Sequence, residues 1–250
     1  MLKAFLDTNI LMGELSTCIF LANAELPDRL FHPRWNSHVF RELSHHLHEH
    51  IDAKDKAAGI EAARRRMRMM RKAFPESMVM EWETEMPRST CFVNDPDDAQ
   101  ILAGAIKGGT DALVTNNVKD FDVDGIEREF GIIVEKGDDF LIDLLNDEPI
   151  TLRDNLIRMA SGFSTPPTNL RELCEIMSQT PEFARFGHAL ENRIKRQYDA
   201  NVAMMFHRTG SGVQPRDCLG RFGRKTYPVS FDVLPPGTGY WGPDGNGPEF

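Results

Sequence analysis

Short apolar runs alternate with helically spaced apolar residues along the first 150 positions. The run LKAFL at 2–6 predicts a buried strand that ends at Asp7. From Asn9 to about Ala24 the apolar residues Ile10, Leu11, Leu15, Ile19 and Phe20 recur at helical spacing, which predicts one helix. RLFHPR at 29–34 predicts a short extended segment or edge strand, because Pro33 argues against a central one. Asn36 or Ser37 can cap the next helix, whose apolar face is Val39, Phe40, Leu43, Leu47 and Ile51. A second helix follows over about 53–73, and residues 78–82 add a short strand.

The stretch 92–121 organises the rest. Asp95 followed by Pro96 is a helix start, since Pro has no amide to leave unpaired at the first helical position. Gly108 and Gly109 end that helix, and Asp111–Val114 and 131–135 are the next strands. Asp138 to Asn146 forms a helix between that last strand and the region beyond 150. Strands alternating with helices predict an α/β fold with a mostly parallel sheet covered on both faces. Residues 151–207 read as helices only, broken at Ser164–Pro167 and near Thr180–Pro181, with Phe183, Phe186, Leu190 and Ile194 on one face of the last. Residues 208–250 hold nine Gly and six Pro in 43 positions, above the roughly 25–30% that marks low-complexity chain. The expected organisation is a 1–148 α/β domain, a 149–207 helical extension and a 208–250 Gly/Pro-rich tail.

Charge sharpens this picture. The net charge is −9, but residues 151–250 hold 12 Lys and Arg against 10 Asp and Glu, whereas 1–150 hold 17 against 28. An acidic half does not favour capture of nucleic acid by charge alone, but it suits carboxylates that gather a divalent cation. No 18-residue apolar run is present, so no membrane helix is expected. The start MLKAFLDTNIL has no signal-peptide layout, and four scattered cysteines without a CxxC pair predict reduced thiols in the cytoplasm.

Three carboxylates crowd the start of the 92–121 helix, and blandly read they all serve that start. At about 100° per residue, however, Asp98 falls inside the stripe of Ile101, Leu102, Ala105 and Ile106, while Asp97 faces away. A carboxylate turned toward a core is costly without a metal or cation partner. Asp7, at the end of its strand, is either an N-cap or a ligand at the carboxyl rim of a parallel sheet. Glu42 lies beside its helix's apolar face, and that segment alone does not separate a functional Glu from a solvated one. Asp120 follows the strand 111–114 on the same rim. Packed together these acids repel, and bound Mg²⁺ or Mn²⁺ removes the conflict while stabilising the charge of a phosphate under attack. The chemistry that fits is phosphodiester hydrolysis.

Two further features have bland readings. His45, His46, His48 and His50 lack an HExxH motif or Cys partner, and read as a polar helix face rather than a zinc site. EAARRRMRMMRK at 61–72 is a solvated helix or a phosphate-contacting surface through Arg64, Arg65, Arg68 and Arg71, and both readings stay open.

LDTNIL at 6–11, RELSHHL at 41–47, PDDAQILAGA at 96–105 and LVTNNVKDF at 113–121 resemble, in order and spacing, the four acidic motifs of PIN-domain ribonucleases. The nearest flavour is the VapC-like toxins of bacterial type II toxin–antitoxin pairs. The resemblance covers residues 1 to about 145. It implies a three-layer αβα PIN-like fold, with Asp7, Glu42 and Asp98 as core metal ligands and Asp120 supporting a second metal or its water. It further implies Thr8, Asn9 and Thr115 as residues that orient those ligands, an RNA substrate, a cognate antitoxin and frequent homodimers. The chain departs from the family at Asn117, where many members have Asp. That lost charge argues against a tight second metal site unless Asp120 supplies it. Two other classes remain. A haloacid-dehalogenase-type phosphatase needs a second Asp where Asn9 stands, and a non-catalytic PIN-like module would bind RNA or protein without gathering acids.

Overall fold

The computed structural model of the chain describes residues 1–49 and 56–209. In order, the elements are β1 (Lys3–Leu6), α1 (Thr8–Met12), α2 (Glu14–Ala22), β2 (His32–Asn36), α3 (Ser37–Glu49), α4 (Lys56–Ala73), β3 (Met78–Val79), α5 (Met86–Ser89), α6 (Asp98–Gly108), β4 (Ala112–Val114), α7 (Val123–Phe130), β5 (Ile133–Glu135), α8 (Gly137–Asp147), α9 (Pro149–Ser161), α10 (Leu170–Gln179) and α11 (Ala184–Thr209). The five strands form one sheet in the order β3-β2-β1-β4-β5, parallel at every pairing. The predicted α/β class and parallel sheet are therefore what the chain forms. The chain winds outward from β1 to β3, then returns to the other side of β1 for β4. The crevice between the carboxyl ends of β1 and β4 is the switch point where such sheets hold ligands.

Helices cover both faces. On one, Phe5 of β1 presses against Gly104 of α6, where an added Cβ would stand 2.5 Å from the Phe5 ring. On the other, Gly137 at the start of α8 meets Ile10 and Phe20, and the Phe140 ring lies edge-on to Phe31 at 5.0 Å. The helices α9 to α11 continue this second layer. Leu152, Leu156, Leu173, Phe186 and Leu190 belong to the same buried cluster as the sheet. Phe183 just before α11 and Phe186 and Leu190 within it are buried, and Ile194 packs against the same cluster, as the periodicity predicts. Asp138 of α8 accepts hydrogen bonds from the backbone N–H of Arg185 (3.2 Å) and Phe186 (2.7 Å), fixing the start of α11.

Several expectations are corrected. The predicted edge strand at 29–34 is shifted to β2, which has neighbours on both sides. Pro33 is tolerated because backbone amides alternate sides. The His32 N–H bonds Leu2 O just before β1, while the Trp35 N–H bonds Ser77 O beside β3. Pro33 points its nitrogen the same way as Trp35, but β3 pairs only with Trp35 and Asn36, so no ladder bond is lost. The helix predicted from Asn9 breaks in two at Gly13, whose extended conformation (φ −67°, ψ 135°) cannot continue α1. The strand at 78–82 shortens to two residues because Glu81 turns left-handed at φ 55°. The helix expected from Asp95 starts at Asp98, since the Asp98 N–H reaches back only three residues to Asp95 O and makes a tight turn first. His50 and residues 210–250 of the Gly/Pro-rich tail lie outside the described residues.

Candidate functional site

Asp7 ends β1 at the switch point, and its carboxylate is almost closed off, with 5% exposure. Oδ1 accepts from the Thr8 backbone N–H at 2.5 Å. Oδ2 accepts from Asn9 Nδ2 and from the Thr115 hydroxyl, each at 2.6 Å. Asn9 also donates to Thr115 Oγ1, and its Oδ1 accepts from the Asn116 backbone N–H. Thr115 Oγ1 accepts in turn from the Asn117 N–H at 3.0 Å. The end of β4 is thus laced to the end of β1 through this one carboxylate. Asp7 is also the N-cap of α1, so its structural and candidate chemical roles coincide. Burial pushes its carboxyl up to about 6, against the hydrogen bonds from Thr115, Thr8 and Asn9 and with help from the Glu42 charge.

Glu42 reaches the same place from the second turn of α3. Its Oε2 accepts from the Thr8 hydroxyl at 2.6 Å and lies 3.3 Å from His38 Nε2. Burial raises this carboxyl, but the hydrogen bonds from His38 and Thr8, with the charges of His38 and His46, more than offset it and hold it below the usual range.

Asp98 is half-buried at the first position of α6, on the inward side as its angular position predicts, while Asp97 is exposed. Burial, then the charges of Asp7, Asp120, Asp95 and Glu42, push its carboxyl up to about 7. Asp120 lies in a single 3₁₀ turn after β4. A clasp holds the two segments together: Asn94 N–H bonds Asp120 O, Asn94 Nδ2 bonds Lys119 O, and Val93 pairs with Phe121 antiparallel. Asn117 begins the 3₁₀ turn and brings no charge to the group. Asp7, Glu42, Asp98 and Asp120 therefore converge closely enough to influence one another. Among the described residues, however, no three His, Cys, Asp or Glu side chains stand close enough together to hold a metal ion. Glu135, at the end of β5, is raised to about 7 by burial and then by Asp143 and Asp139, a separate neighbourhood on the same rim.

Of the basic run, Arg64, Arg65, Arg68 and Arg71 are all exposed on α4. Arg68 pairs with Glu61 at 2.7 Å, and the Arg71 guanidinium lies 5.0 Å above the Phe40 ring. Arg66 turns inward instead. It donates to Leu11 O (2.8 Å), Gly13 O (3.3 Å) and the Thr17 hydroxyl, satisfying the carbonyls exposed by the break between α1 and α2.

Two site residues, His38 and Arg41, escape sequence reasoning, and Asn36 escapes it in part. His38 is buried and contacts Glu42, and Arg41 donates to His38 Nδ1 at 2.8 Å. Asn36 caps α3 through Val39 N–H, as predicted, but its Nδ2 also donates to Gln100 O, joining the start of α3 to the helix that carries Asp98. The one sequence signal for His38 is its place four residues before Glu42, on the same helical face.

No protein-family model matches the chain, and no curated protein does. Among solved structures it is similar to VapBC2 from Rickettsia felis bound to a DNA fragment from their promoter, at 20% identity and a TM-score of 0.37, over 55% of this chain and 100% of that one. Among the described residues no helix is long and apolar enough to cross a membrane, and Cys18, Cys91 and Cys174 form no disulfide.

Proposed function

We propose that the protein is a PIN-type ribonuclease that hydrolyses RNA phosphodiester bonds with Mg²⁺ or Mn²⁺ held by Asp7, Glu42 and Asp98, with Asp120 at the edge of the site. One observation carries this reading: Asp7, Glu42 and Asp120, from separate elements, gather near Asp98, and burial followed by the charges of these acids and of Asp95 raises the Asp98 carboxyl to about 7. Such crowding costs stability and supports no described hydrogen bond of Asp98, whereas an all-oxygen donor set suits a hard cation that keeps several of its waters. The acids stand too far apart for a closed cage among the described residues. The cation would supply Lewis acidity for activating water and for stabilising the phosphate's added charge.

The chain's own residues do the rest. Thr8, Asn9 and Thr115 fix the Asp7 carboxylate in one orientation, so no reorganisation is needed when charge develops. Asn117 leaves the second side of the site one charge short, which favours one tightly held cation. Arg64, Arg65, Arg68 and Arg71 would meet the RNA backbone or a partner chain. In this reading the protein is a VapC-like toxin of the cytoplasm, restrained by an antitoxin and active as a homodimer. The test is cleavage of single-stranded RNA by purified protein with Mn²⁺ or with EDTA. Cleavage that needs Mn²⁺ and disappears in folded Asp98→Asn supports the proposal, and Mn²⁺-independent cleavage or an unaffected variant sinks it.

A second reading, a PIN-like module that binds RNA or protein without cutting, is favoured by the acid spacing. RNA binding with no cleavage in Mn²⁺ would establish it. In the phosphatase reading Asn9 would have to be an acid, yet its amide donates to Asp7.

A further inference from the structure

We infer that Arg29, His32 and Arg34 form a binding site for a phosphate monoester dianion, on the rim of the sheet opposite the one where Asp7 ends β1. The site goes beyond the metal reading above and is independent of it: it uses none of the four acids and needs no cation.

His32 is the first residue of β2, which places it on the amino-end rim of the parallel sheet. Side chains alternate faces along a strand, so His32 and Arg34 project from the same face of β2. Arg34 pairs in register with Phe5, and its stem passes the end of α6, where a Cβ added to Gly108 would stand 3.8 Å from Arg34 Cγ. Arg29 joins them from the segment before β2. Its Nε donates to Ala24 O at 2.7 Å and its Nη1 to His32 Nδ1 at 2.8 Å. Arg29 thus touches the His32 ring, and the charge of Arg34 acts on the same ring.

These two cations lack a counter-charge. Among the described residues no ion pair reaches Arg29 or Arg34, whereas Arg68, Arg88, Arg158, Arg171 and Arg185 each meet an Asp or Glu. Glu76 gives Arg34 its backbone carbonyl and not its carboxylate. Exposed arginines leave their charge to water, but Arg29 and Arg34 are half-buried. Half-buried Arg66 is also without an acid, yet three oxygens accept from it. Arg34 has one such acceptor, and its Nε is buried with no hydrogen-bond partner. A cation partly removed from water without a partner is costly, and an anion offsets that cost.

The charge selects the anion. Guanidinium forks match the oxygens of phosphates, and Nη2 of each arginine has no partner among the described residues. Two unneutralised cations favour a dianion. A phosphate monoester carries close to two negative charges at neutral pH, and a nucleic-acid phosphodiester carries one. The positive field already acts on His32. Burial first, then the charges of Arg29 and Arg34, hold its imidazole below the ordinary range, with Glu76 opposing them and the Met1 amino group adding to them. A bound dianion reverses that field.

NMR titration of the full chain with inorganic phosphate, at constant ionic strength and read at the His32 ring, tests the site. Phosphate is expected to shift the His32 resonances saturably and to raise the His32 pKa by about one unit. Chloride and the diester dimethyl phosphate, at the same concentrations, should do neither. Arg29→Gln and Arg34→Gln should each weaken phosphate binding about tenfold or more, as loss of a charged hydrogen bond does, while Arg64→Gln on α4 should bind as wild type. The wild-type titration needs no variant, so a substitution that fails to fold leaves the test intact. No saturable shift at His32 overturns the site. An equal response to dimethyl phosphate overturns the choice of a monoester dianion. Folded Arg29→Gln and Arg34→Gln proteins that bind phosphate as tightly as wild type overturn the residues assigned.

Discussion

Replacing Asp98 by Asn should make the metal-free protein more stable at neutral and alkaline pH while destroying its candidate site. In the folded chain the Asp98 carboxyl lies at about 7 instead of its ordinary 3.8. The full displacement corresponds to about 4 kcal/mol of linkage, at 1.36 kcal/mol per unit. Asp98 is only half-buried, and its charge is shared with three other acids, so solvent screening and coupling reduce this to about 1–2 kcal/mol. The sign follows from the raised folded value. Below about pH 4 Asp98 is protonated in both states and costs nothing. As pH rises from about 4 to 7 the unfolded chain releases the proton while the folded chain retains it, and stability falls. Asn carries no charge, so the variant escapes that loss. Urea unfolding in EDTA is the assay. Asp98→Asn should exceed wild type by about 1–2 kcal/mol at pH 8, or about 2–8 °C in Tm for a chain of this size, and the difference should vanish near pH 4. Added Mn²⁺ should reverse the order by stabilising wild type alone. A variant no more stable than wild type at pH 8, or a gap that does not close at low pH, would refute the crowding on which the site rests.

Gly104→Ala would set a Cβ 2.5 Å from the buried Phe5 ring and 2.6 Å from Asn36 Nδ2. Overpacking costs about 1–3 kcal/mol against about 1 gained in helix propensity, so the unfolding free energy read by urea titration should fall by about 1 kcal/mol. Arg66→Ala removes the guanidinium that Leu11 O and Gly13 O share with the Thr17 hydroxyl and should cost about 1 kcal/mol, whereas exposed Arg64→Ala should stay within about 0.5, as thermal melts of the pair would show. Asp138→Ala removes the acceptor for the Arg185 and Phe186 amides and should cost about 1–2 kcal/mol, with hydrogen exchange rising first at the start of α11.

Local signals made much of this molecule legible. Strand-then-helix patterning located the elements of the sheet, and the angle of Asp98 on its helix placed it inward. What stayed hidden depends on partners distant in sequence. The break at Gly13 is held by Arg66, 53 positions away, through a contact that no periodicity encodes. Pro33 argued for an edge because the pattern does not reveal how short β3 is. His38 looked like one histidine among several until Arg41 and Glu42 gave its two nitrogens different partners. Asn36 was legible as a cap, a local role, but not as the link to Gln100, 64 positions on. The clasp between 93–94 and 119–121, which brings Asp120 beside Asp98, is likewise a tertiary pairing without a turn signal of its own.

The central claim is that Asp7, Glu42 and Asp98 hold one divalent cation. Crystals grown with Mn²⁺ and measured for anomalous scattering test it directly. A single strong peak bounded by the three carboxylates is predicted. A peak elsewhere on the chain, or none at saturating Mn²⁺, would contradict it.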